Sequence, residues 1–163
     1  MSCPVPLRSL PAQTITVENF RPYGQFILPQ EDGTPFGEGD AQIYLGQGPP
    51  RFYLMHLEYR GRQFHTITHH RHCTQCLGSL EGRDWFIAVA PAAPTPSLAQ
   101  LQAFHIPGIG FIKLDRGTWH AGPYFDHPAV NFYNLEMIDT NVVDHSTYDF
   151  LAEQGLCFEI HPG

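Results

Sequence analysis

Residues 69–76 read HHRHCTQC and hold three of the chain's ten histidines and two of its four cysteines. Three chemistries suit such a stretch. A structural zinc site needs four nitrogen or sulfur ligands, commonly as two close pairs separated by a longer loop. Cys73 and Cys76 supply one pair, no second pair follows at matching spacing, and Cys157 stands alone near the C-terminus. A redox CxxC takes its low thiol pKa from a helix N-terminus, whereas CTQC opens a run of β character. The plain structural role, two small residues on a strand, suits these cysteines better. Together with Cys3, the four are too few and too scattered for a disulfide framework, so all are expected to be reduced.

The third chemistry follows from period two. In an extended run Thr68 and His70 share one face, while His69 and Arg71 share the other. Downstream, RGTWH at 116–120 places His120 just after a glycine turn, at the start of another strand. A small barrel gathers imidazoles from such strands in its mouth, where they titrate near neutrality and can exchange protons. By the same parity His65 falls outside that pocket.

Elements able to position these residues are short and numerous. Fifteen glycines and fifteen prolines punctuate the chain, and aromatic and β-branched runs lie between them. The expected strands are 24–29, 41–45, 51–59, 63–70, 75–80, 84–90, 104–107, 110–114 and 129–138. Only PSLAQLQAF at 96–104 has a helix-type opening and spacing. The fold class expected is all-β, an antiparallel barrel or jelly roll with one or two short helices, as a single domain over 1–163. Sixteen acidic against nine basic residues give a formal charge of −7, which disfavours nucleic acid and anionic membranes as partners. No apolar run approaches the ~20 residues of a membrane span, and the N-terminus has no signal-like apolar stretch. The cytoplasm is the expected location.

The run from Thr68 through His70 to Gln75, followed by Gly117 to His120, resembles a reduced pair of cupin motifs. More specifically, the chain resembles the ureidoglycolate lyase family. The matching stretches include ENFRPYG (18–24), HHRHCTQCLGSLEG (69–82), WFIAVAP (85–91), PSLAQLQAF (96–104), RGTWH (116–120) and MID (137–139). The family carries glutamate where Thr68 stands, arginine at His69, a second histidine at Ala121 and arginine at Thr140.

That resemblance implies a lyase that cleaves ureidoglycolate, a small carboxylate, to glyoxylate and urea, and it implies a homodimer. His120 is then the general base, His70 its partner acid or a ligand, and Gln75 a donor orienting the developing glyoxylate. The cofactor is left open; a divalent metal, if used, takes His70, Gln75 and His120 as ligands. The anionic substrate needs a cation, for which Lys113, the only lysine, and Arg116 are the candidates, with Thr68 also in the pocket. Two alternatives stand beside the lyase: a metal-dependent cupin enzyme of other chemistry, and a non-catalytic cupin that binds small anions or sugars.

Overall fold

The computed structural model describes residues 3–46 and 48–163. Among them, in chain order, the strands are β1 (Leu7–Thr14), β2 (Gly24–Ile27), β3 (Pro50–Glu58), β4 (Gln63–Phe64), β5 (Thr66–His69), β6 (Gln75–Ser79), β7 (Trp85–Ala90), β8 (Gln102–Ile106), β9 (Phe111–Leu114), β10 (Trp119–Tyr124), β11 (Ala129–Met137), β12 (Ser146–Asp149) and β13 (Cys157–His161). Two short helices, α1 (Thr140–Val143) and α2 (Phe150–Gln154), flank β12. One sheet runs β12-β5-β10-β7-β8-β1-β13-β4 and the other β2-β9-β6-β11-β3. The sheets curl into a half-barrel, a cupin-like β fold.

Alternation along the strands sorts side chains between the barrel interior and its outside. Phe20, Leu77, Trp85, Ile87, Phe104 and Phe132 fill the interior from both sheets and are almost fully buried. Each such side chain contributes about 1.5–3 kcal/mol by leaving water, so this apolar interior carries the stability and the mouth is free to hold polar groups. β11 shows the gradient: its buried positions are Val130, Phe132, Asn134 and Glu136, apolar first and polar last. On the far face of the larger sheet, Ala88, Ala90 and Ala103 let Phe64, Phe150 and Phe158 approach closely as a second core.

Several expectations need correction. Segment 41–45 joins no ladder; Tyr44 and Thr74 exchange backbone and hydroxyl hydrogen bonds there, and the Gln42 N–H donates to Gln25 Oε1. The expected helix at 96–104 is a single 3-10 turn at Leu98–Gln100, after which β8 begins. β8 lies between β7 and β1 with Phe104 in one core and Ala103 in the other, and that two-sided burial outweighs local helical spacing. The barrel is not wholly antiparallel, because β1 pairs parallel to both β13 and β8; Pro11 inside it hid the strand.

Nor are all four cysteines thiols. Cys3 and Cys157 form a disulfide, while Cys73 and Cys76 are free and buried. The parallel pairing sets Leu7 opposite Cys157, which brings the chain just before β1 to β13 across a sequence separation of 154. No local spacing could reveal that proximity.

Candidate active site

The mouth begins where β5 ends. Thr68 and His70 face inward, and His120 on β10 lies opposite Thr68 and Val89 in the ladders. Gly117 joins the two histidine segments: its N–H donates to the His70 carbonyl at 2.6 Å, and its φ of 83° makes the turn before β10. A side chain is disfavoured at that φ. Gln75, the first residue of β6, and Asn134 and Glu136 of β11 complete the inner wall. The cavity enclosed is about 300 Å³ and is lined chiefly by polar groups.

Each imidazole is aimed by the backbone. His70 Nδ1 lies 2.6 Å from the Asp144 carbonyl oxygen, which can only accept, so Nδ1 carries the proton and Nε2 is left as a base. The Asp144 carboxylate in turn accepts the N–H groups of Arg71 and His72, both at 2.8 Å. His120 Nδ1 makes a longer contact, 3.5 Å, to the Thr118 carbonyl. The His70 and His120 rings are 5.1 Å apart, and His145 lies 5.7 Å from His70.

Burial pushes the His70 pKa down against the pull of its hydrogen bond to Asp144. Burial, then the neighbouring His70 charge, pushes His120 down to about 3. Near neutral pH both rings are therefore uncharged proton acceptors. His120 keeps some area exposed because it faces the cavity, while protein surrounds the rest of the ring.

A model of the ureidoglycolate lyase family matches residues 37–150, well over half of the chain. The chain belongs to the ureidoglycolate lyase family. Its function is that of a ureidoglycolate-type lyase, and the match favours this chemistry over other cupin reactions and over a non-catalytic binding role. No curated protein matches the chain.

In this lyase the mouth brings together His70, Gln75, His120 and Thr68, with Thr68 and His70 on the shared face that strand parity gave them. His69 turns the other way and stacks on Trp119, ring centres 3.7 Å apart. His65 is outside the cavity, paired with Asp149 at 2.9 Å. Lys113 and Arg116 are not brought to the mouth. Ile112 and Leu114 of β9 face the core, so Lys113 between them is on the outer face, opposite Cys76 and ion-paired to Asp115 at 2.5 Å. Arg116 packs over the Tyr44 ring at 4.0 Å.

Arg60 lines the cavity instead, its Nη2 donating to the Pro123 carbonyl at 3.0 Å. Asn134, Glu136, Asn141 and His145 also line it and were not anticipated. The alternation in AVNFYNLEM carried a signal for Asn134 and Glu136, since both share a face with Val130 and Phe132. His145 had none, because it reaches the mouth from the irregular turn after α1. Among the described residues no three His, Cys, Asp or Glu side chains are grouped to hold a metal ion, and no helix is long and apolar enough to cross a membrane.

Proposed function

We propose that this lyase cleaves ureidoglycolate in the mouth between His70 and His120, with Arg60 at the rim taking the substrate carboxylate. The supporting observation is a pair of uncharged imidazoles facing one polar cavity, each with Nδ1 turned toward a backbone carbonyl. His120 Nε2 accepts the hydroxyl proton. As the C–O bond becomes the aldehyde of glyoxylate, the C–N bond breaks and its electron pair leaves with the urea nitrogen. Burial makes the imidazolium a strong acid, so it returns its proton to that nitrogen and releases neutral urea. His70, clamped through Asp144, offers its unprotonated Nε2 as an acceptor beside the leaving nitrogen, because the hydroxyl has one proton and His120 takes it. The acid role expected of His70 thus passes to the protonated form of His120.

A divalent cation, if the protein uses one, would be held by His70, Gln75 and His120. This donor set has a buried amide oxygen without a partner, and the cation would polarise the substrate oxygens. A homodimer belongs to the same reading. β3 is a sheet edge with Phe52 and Leu54 exposed, the kind of edge a second strand covers.

The test is release of urea and glyoxylate from ureidoglycolate by the wild type and by His70→Ala, His120→Ala and His72→Ala. The first two should lose about 10²–10⁴ in rate and the third little, because only the backbone N–H of His72 is used, by Asp144. No release by the wild type would sink the assignment of the reaction to this site. Loss confined to His72→Ala would show that the wrong histidine has been placed in it.

A further inference from the structure

Gln75 is 8 % exposed and its Oε1 is buried without a hydrogen-bond partner, although it borders the cavity. The reason lies in the groups behind it. Glu136, 1 % exposed, accepts a hydrogen bond from Asn141 Nδ2 at 3.4 Å and has the Asn134 amide beside it. An ionised carboxylate has no donor, so Asn134 must turn its amide nitrogen toward Glu136 and its oxygen toward Gln75. Gln75 then has to give its own Nε2, which it does at 2.8 Å. The direction of the chain from Gln75 through Asn134 to Glu136 leaves an unused acceptor at one end and a carboxylate at the other, on two residues that border the cavity.

We propose that Gln75 Oε1 and the Glu136 carboxylate bind the N–H groups of the substrate's ureido end, making Glu136 a specificity-determining residue against acyl analogues. The proposal rests on the reading that ureidoglycolate occupies this mouth and adds its orientation: carboxylate toward Arg60, hydroxyl toward the imidazoles, ureido nitrogens toward β6 and β11. A terminal NH₂ supplies donors to the acceptors that these two residues present. A methyl group in its place leaves buried acceptors without partners, which is costlier than the loss of an exposed hydrogen bond.

The experiment measures calorimetric affinity of the full chain for N-carbamoylglycine and N-acetylglycine. The first has the ureido and carboxylate groups without the hydroxyl, so it is not cleaved; the second replaces the terminal NH₂ by CH₃. The wild type should bind the carbamoyl compound at least about tenfold more tightly. Glu136→Gln, which keeps the shape but adds a donor, should bring that ratio to within about threefold of one, and Gln75→Leu should lower it as well. A wild-type ratio near one overturns the proposal, as does a failure to bind either compound or a ratio unchanged in a folded Glu136→Gln variant. The wild-type ratio decides even if both variants fail to fold. The ratio should also persist after chelator treatment; its loss there would assign Gln75 Oε1 to a cation and overturn the proposal. A wild type with the expected ratio but no urea release retains the acceptor wall and removes the lyase reading. Urea release with a ratio near one does the reverse.

Discussion

Replacing His120 by glutamine removes the proposed base and, with it, a titrating group that folding holds neutral. The folded pKa of about 3 lies below the ordinary 6.5. Between these values the unfolded chain binds a proton that the native chain does not, so stability falls as pH drops through that window. Near pH 5 the wild type has lost about 2 kcal/mol through this one ring, and almost nothing at about pH 7.5. Water in the cavity screens the ring, so about 1–2 kcal/mol is the expected effect. Guanidinium melts of wild type and His120→Gln at both pH values, with chelator present, isolate it. Asp84 and Asp149, whose pKa values are lowered from 3.8 mainly by hydrogen bonds from His105 and His65, lose their contribution only below that value, outside the range of about pH 5 to 7.5. The variant should lose about 1–2 kcal/mol less than the wild type on acidification, or roughly 2–8 °C less in melting temperature. Equal losses would refute the argument that the site keeps His120 uncharged.

Arg60→Ala should raise KM for ureidoglycolate about tenfold with a smaller effect on kcat, as expected for a charged hydrogen bond to a non-reacting group. Lys113→Met and Arg116→Ala, whose charges lie away from the mouth, should keep kcat/KM within about threefold; a folded but inactive Lys113→Met would move the carboxylate site to β9. Thiol titration of the denatured, unreduced protein should find two free cysteines, Cys73 and Cys76, and four thiols would contradict the Cys3–Cys157 bond.

Strand character was written locally. Aromatic and β-branched runs between glycine and proline turns identified β2, β3, β6, β7, β9 and β11 to within a few residues, because a strand with one face in the core needs period two whatever its neighbours are. The same period put Thr68 and His70 on one face and His69 and His65 on the other, and the glycine turn put His120 at the head of β10. What the sequence by itself determined, then, was the class of fold, which face of its strand His70 occupies and where in its strand His120 stands. The partners of those imidazoles depended on long-range pairing. β1 and β13 were hidden because their pairing is parallel and spans nearly the whole chain; the same pairing joined Cys3 to Cys157. PSLAQLQAF had the spacing of a helix, and burial between β7 and β1 made most of its second half strand. Lys113 had the expected charge, but Ile112 and Leu114 claimed the core and left it buried on the opposite face of the sheet. His145, Arg60 and Glu136 reach one cavity from three separate segments, with Asp144 beside His145 holding His70, and only the curl of the two sheets brings them there. Parity along a strand fixes which way a side chain points, whereas what it meets is decided by strands whose partners lie far away in sequence.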